Sequence, residues 1–443
     1  MFLALAAGAA LVADPFFGLD KASQTGVWRS QGYGYVLDVG DAGVRIYDVT
    51  SSSCALSGEA AKLEELGVIE KGANERFVLA GDTARIGFER RAALPGACLS
   101  PESPTADPLR NFDVFWETFN ENYPFFALRG VDWKAVREAY RPRVAALPPD
   151  ADLWPVLTEI LGRFQDAHIR LVDGDRRFQV RRNSSGSSMP EIQKGLIEYL
   201  ARSDGPLGGQ VTLDAHDRLA YGTTREGVAY LAVMTMGGFS NGPVGWPGNT
   251  TSEEDVAAAR AALDVAFARF EHAPGLILDL RFNPGGSESI SALIAGCFAD
   301  RKRLAYTRAG WDGDHLGPAF ETYVEPGGCR KFAGPVVVLT GERTTSAAEA
   351  LVMRLRVLPQ AIVMGQPTQG AHSDVLSRTL PNGWRLGLSN EVYTLADGHV
   401  YEGLGIPPTI TTPAPEPGAP PEAIYGADIR RGAERLVADS VAH

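Results

Sequence analysis

The sequence predicts an α/β domain preceded by a helical segment and, ahead of that, a small antiparallel β module. Three observations carry this prediction. From Gly227 onward, short apolar runs alternate with amphipathic stretches, the texture of parallel strands joined by right-handed crossovers. Between Leu109 and Leu161, apolar residues recur at three-and-four spacing, which puts them on one face of a helix. Residues 25–105 instead alternate apolar and polar residues with period two between turn signals, as half-buried strands do.

In the β module the runs "GVWRS", "GYVLDVG", "GVRIYDVT", "RFVLAG" and "ARIGFER" read as strands, and "PESPTADP" as a linker. Residues 106–180 hold three helical stretches, "NFDVFWETFNENYPFF", "DWKAVREAYRPRVAAL" and "DLWPVLTEILGRF", whose aromatic stripe reads as core. A short strand, "HIRLV", follows them, and then a polar loop, "RRNSSGSSMPE". Residues 181–411 hold the α/β unit. Its strands are "GVAYLAVMTM", "GLILDLRF", "GPVVVLTG", "QAIVMGQP" and "WRLGLSNEVYTL"; its helices are "SEEDVAAARAALDVAFARFEHA", "SESISALIAGCFA" and "SAAEALVMRLRVL". Residues 412–443 are a Pro-rich connection and a last helix.

The chain has 443 residues and a formal net charge of -12. That charge speaks against a broad nucleic-acid footprint or attraction to an anionic membrane surface. Residues 1–24 begin with an apolar, small-residue run from Phe2 to Ala13. It is too short to span a bilayer and reads as a signal-peptide remnant, so export to the periplasm or outside the cell is expected. Cys54 with Cys98, and Cys297 with Cys329, each fall within a single expected unit, a pattern suited to two disulfides in an exported protein. No cysteine pair has metal-site spacing, and neither a metal nor a cofactor is expected.

Two strand-to-helix turns concentrate the chemistry. "TTSAAEA" places Ser346 at a helix start. With Glu349 three residues on, it is a capping box, and equally a place for a nucleophile. "LRFNPGGSES" places Gly285 and Gly286 where backbone N–H groups can face an anion. If the turns are neighbours, the N–H groups of Gly285 or Gly286 and of Ala347 form an oxyanion hole around Ser346.

The ordered set "LILDLRFNPGG", "TTSAAEA", "IVMGQPTQGAHSD", "LPNGW" and "YEGLGIPP" resembles the catalytic domain of the S41 serine peptidases. That clan includes the C-terminal processing peptidases, the tricorn core and the interphotoreceptor retinoid-binding protein. "FDVFWETFNENYPFFALRGVDW" with "FQDAHIRL" is similar to the family's helical part. The resemblance covers roughly Asp107 to Ile410 and implies a ClpP/crotonase-like fold, a peptide or unfolded-protein substrate, and Ser346 as nucleophile. The lysine that activates this serine in C-terminal processing peptidases falls at Ala371, so a Ser-Lys dyad is excluded. The tricorn-like branch instead uses a His and a Glu, which match His168 and Glu402. The Ser that precedes the His in that branch is Ala167 here, which leaves a fourth member unassigned.

Each partner also has a bland reading. His168 can be an ordinary strand histidine and Glu402 a solvated turn residue. Asp166 can orient the ring instead of Glu402. His372 and Ser373, beside the lost lysine, can be an alternative base or a substrate contact. The expectation is a serine endopeptidase; the alternatives are a non-catalytic binder of apolar ligands or peptides on the same fold, or an esterase with the same triad. A PDZ module between Gly174 and Arg225 is not expected.

Overall fold

The computed structural model describes residues 24–71, 76–80, 85–101, 103–180, 188–241 and 253–441. The signal-peptide reading of residues 1–23 lies outside the described residues, as does most of the polar loop, residues 181–187. Among the described residues no helix is long and apolar enough to cross a membrane.

The α/β unit is built on a seven-stranded sheet. Its spatial order is Thr212–Asp214, Leu219–Thr223, Ala229–Val233, Leu276–Asp279, Val336–Thr340, Ala361–Gly365 and Ile410–Thr411. The last five run parallel, as the alternating texture predicts, while the first two add an antiparallel edge. Period-two alternation sorts the strand side chains into two layers. Leu276 and Leu278 face a core filled by the helices Glu253–Arg269, Glu288–Gly296 and Ala347–Leu355. Ile277 faces the other core, which is closed by Met189–Leu200 and by Ala427–Val441 through Ile429, Ala433 and Leu436. The C-terminal helix is thus part of the α/β unit. Buried Arg281 pairs with Asp279 at 2.6 Å and donates to the carbonyls of Ile424 and Tyr425, which pins the chain entering that helix.

Met189–Leu200 was not legible as a helix because its start is hidden in a Ser-rich run. Glu191 accepts from the Ser188 N–H at 2.7 Å, so the polar run supplies the cap.

The N-terminal module is a seven-stranded antiparallel sheet. Five strands fall where the alternation puts them; Cys54–Ala60 and Val68–Lys71 are additional, the first too rich in small and polar residues to signal a strand. The disulfides Cys54–Cys98 and Cys297–Cys329 are both formed. The boundaries expected near residues 105 and 180 do not separate cores. Trp28, Phe77 and Phe88 of the module pack in one cluster with Phe115, Phe119 and Trp133 of the helical part and with Leu386 and Leu388 from the far end of the chain. The strand expected over "HIRLV" starts later, at Arg170–Asp173, and pairs with Arg385–Ser389. His168 therefore lies in the turn before it.

Candidate active site

The strands Leu276–Asp279 and Val336–Thr340 are parallel neighbours, so the turns at their carboxyl ends meet. Asn283 joins them. Its Oδ1 accepts from the Gly285 N–H at 2.8 Å, its Nδ2 donates to the Val233 carbonyl at 2.8 Å, and its own carbonyl accepts from the Thr345 N–H at 3.1 Å. A Cβ on Gly285 would come within 2.8 Å of the Ser346 Cβ and 2.6 Å of the Thr345 carbonyl oxygen, so only glycine allows this approach.

Ser346 caps the Ala347–Leu355 helix with φ 57° and ψ -122°, in the positive-φ region that a side chain normally avoids. The strain is held by hydrogen bonds on both sides. Thr344 Oγ1 donates to the Leu280 carbonyl at 2.8 Å, and the Ser346 N–H donates to Glu349 at 3.0 Å. Among the described residues the N–H groups of Gly286 and Ala347 have no acceptor, whereas that of Gly285 is committed to Asn283. Of the two glycines named from the sequence, Gly286 is the free donor.

Glu349 does more than cap. Fully buried, it also accepts from the N–H groups of Gly370 at 2.8 Å and Ala371 at 2.9 Å, and from Thr368 Oγ1. The segment 368–371 is thereby tied to the Ser346 turn. Gly405 of "YEGLG" packs on the same segment, where a Cβ would meet the Thr368 carbonyl oxygen at 2.0 Å.

His168 is buried and its Nδ1 has no hydrogen-bond partner. Burial lowers its pKa from the usual value; Asp166 and Glu349 oppose the shift, and Arg170 and His372 add to it. The expected bond from Glu402 to this ring is not formed. Glu402 accepts instead from Arg129 at 3.0 Å and from the N–H groups of His372 at 2.8 Å and Ser373 at 3.1 Å. Burial pushes its pKa up to about 7, with Asp166 adding to the rise and His372 and Arg129 resisting it. Asp166 does not hold the ring either. It accepts from the His168 peptide N–H at 2.9 Å, from Tyr123 at 2.9 Å and from Ser389 at 3.1 Å. Both carboxylates are occupied in holding loops, for a reason the sequence did not signal: Arg129, its side chain 5 % exposed, lies 3.0 Å from Glu402 and 3.8 Å from Asp166 and draws both toward itself.

His372 is fully buried between two acids, its Nε2 3.0 Å from Glu349 and its Nδ1 3.9 Å from Glu402. Neither ring nitrogen makes a well-directed hydrogen bond, and the contacts are ionic when the ring is protonated. Burial works against the charged ring, but Glu349 and Glu402 outweigh it and raise the pKa. Ser373 Oγ accepts from the N–H groups of Asn390 and Glu391, both at 2.9 Å, and donates to the Asp374 carbonyl, so its hydroxyl is spent on the fold.

Comparison with known proteins agrees with this architecture. Residues 227–412 match the model of peptidase family S41, and residues 104–162 match that of the tricorn protease C1 domain. Residues 227–412 thus form a peptidase family S41 domain. The chain is 26% identical over 162 residues to a carboxy-terminal-processing protease of Bartonella bacilliformis, covering 37% of this chain and 35% of that protein. It is 32% identical over 139 residues to a carboxyl-terminal-processing protease of Picosynechococcus, covering 31% of each. The chain thus spans about a third of the length of these curated relatives. Among solved structures, a candidate peptidase from Parabacteroides merdae aligns with a TM-score of 0.55 at 25% identity over 76% of this chain and 96% of that one. Mature CPAF aligns with a TM-score of 0.50 at 14% identity over 75% and 96%, a likeness of fold.

Proposed function

We propose that the protein is a serine endopeptidase that works through an acyl-enzyme on the ClpP/crotonase-like form of the α/β fold. The observation that carries this is Ser346, held at positive φ at a helix start, against a glycine turn, beside two N–H groups with no other acceptor. Ser346 Oγ attacks the scissile carbonyl carbon as His168 takes its proton. The oxyanion forms hydrogen bonds to Gly286 and Ala347, each such donor contributing roughly 3 kcal/mol. His168 then passes the proton to the leaving amine, and water repeats the sequence on the acyl-enzyme.

The choice of His168 over His372 as base rests on their surroundings. A base must be neutral with a free ring nitrogen, and burial favours the neutral form of His168. His372 faces two carboxylates that favour its charged form. Pairs of titratable groups whose environments push them apart are how acid and base roles are divided. The Glu402 role implied by the family resemblance requires His168 to move onto Glu402 when substrate binds.

The test is Ser346→Ala, with His168→Ala beside it, assayed on short and unfolded peptides. Both should lose at least about 10³-fold in kcat, and labelling of Ser346 by a fluorophosphonate should vanish in the first. Hydrolysis at the wild-type rate by Ser346→Ala would refute the nucleophile assignment, and an intact serine that never labels would favour a binding protein. Glu402→Gln against Asp166→Asn tests the orienting carboxylate, which is the one whose loss costs kcat. Export is part of the same proposal, supported by the two disulfides; recovery of the protein with reduced cysteines from the cytoplasm would count against it.

A further inference from the structure

The sequence places a histidine directly after the position of the lost lysine, and the structure gives that histidine no access to solvent. We propose that His372 is a positioning residue: set between Glu349 of the nucleophile helix and Glu402 of the C-terminal loop, its ring clamps residues 368–373 against the Ser346 turn. This rests on the reading of Ser346 as the nucleophile.

The clamp is visible from each element packed around the ring. Glu349 connects the Ser346 N–H to those of Gly370 and Ala371. Glu402 connects the N–H groups of His372 and Ser373 to Arg129 of the helical part. Asp166 and His168 complete the charged and titratable surroundings. A protonated ring gives each acid a counter-charge on the side that faces the other. A neutral ring would leave two buried carboxylates about one imidazole apart, and such pairs repel unless one takes up a proton. Relief of that repulsion would move the segment that shares Glu349 with Ser346. A displacement of about 1 Å at such a site is enough to cost on the order of 10²-fold in rate.

His372 therefore acts in its charged form, opposite to His168. Its raised pKa means that its pairing with Glu349 is complete below the usual histidine value near 6.5 and is lost as pH rises through the higher folded value, while Glu402, with its pKa pushed up to about 7, gains its charge across the same window. The acid limb of the kcat/KM profile belongs to His168, and the alkaline limb to the coupled His372 and Glu402 pair.

Two measurements decide this. In Ser346→Ala protein labelled with ¹⁵N-histidine, the ring signals of His372 at pH 6.5 should be mainly those of an imidazolium, while those of His168 at the same pH are mainly those of the neutral ring. A neutral His372 ring at pH 6.5 overturns the clamp whatever the fate of the nucleophile assignment, which the activity of Ser346→Ala decides separately. In His372→Gln, with rates normalised to fluorophosphonate-labelled sites, kcat should fall at least about tenfold with KM changed less than about twofold, and the alkaline limb should disappear. A variant that loses thermal stability but keeps kcat per labelled site and the wild-type pH profile would assign His372 to folding alone and overturn the proposal.

Discussion

At the scale of single residues, the site depends on two backbone conformations that side chains resist. Ser346 accepts positive φ because Asn283, Thr344 and Glu349 fix its flanks, and Gly285 has φ 90° and no room for a Cβ. Gly285→Ala should push the turn off Ser346 and cost about 10²-fold in kcat, with a loss of about 1–3 kcal/mol in urea unfolding. Near-normal kcat in that variant would show that the close approach is dispensable. Burial of His168 makes a pH prediction as well. The base must be neutral, so activity should rise with pH along a limb centred below the usual value of about 6.5, read from kcat/KM on a neutral peptide.

At the scale of elements, the N-terminal module reaches the site through one loop. Tyr33, between the strands Gly26–Ser30 and Tyr35–Gly40, packs over Gly310 and donates to Glu391 at 2.5 Å. Glu391 lies 3.9 Å from Arg308, which bonds Glu288 at 3.1 Å; Glu288 in turn accepts from Arg354 at 2.7 Å. Glu288 begins the helix after the glycine turn, and Arg354 lies on the helix Ala347–Leu355. These four charges, three buried and Glu288 partly so, alternate in sign, so the row is compensated along its length. Tyr33→Phe removes the only hydrogen donor that Glu391 Oε1 has among the described residues and should cost about 1–3 kcal/mol of stability by denaturant titration. An unchanged midpoint would mean that the loop is not coupled to this row.

For the whole molecule, one aromatic core shared by the module, the helical part and the strand Arg385–Ser389 means that the β module is not separable from the rest. A chain starting near Pro101 should be insoluble or lack a cooperative thermal transition, because Phe115, Phe119 and Trp133 would lose their partners. A soluble, active truncation would contradict this. The paired exchange Cys54→Ser with Cys98→Ser, which opens a loop of sequence separation 44, should lower stability by about 2–4 kcal/mol without altering KM.

The sequence by itself determined the alternating α/β unit, five of the module's strands and the helices between, because their apolar periodicities report the local burial that each strand or helix meets. It also marked Ser346 and the Gly285–Gly286 turn, because glycines and polar residues at the ends of strands are local features, while His168, His372 and Glu402 stood out through the resemblance to the S41 peptidases. Only the tertiary structure decided how these groups are paired. Arg129 comes from one end of the chain and Glu402 from the other, and no spacing announces their 3.0 Å contact. That cation occupies the carboxylate assigned to His168, and His372 joins Glu402 to Glu349. Which acid serves which base is set by distances in three dimensions and by desolvation at those distances, and a linear pattern of residues encodes neither.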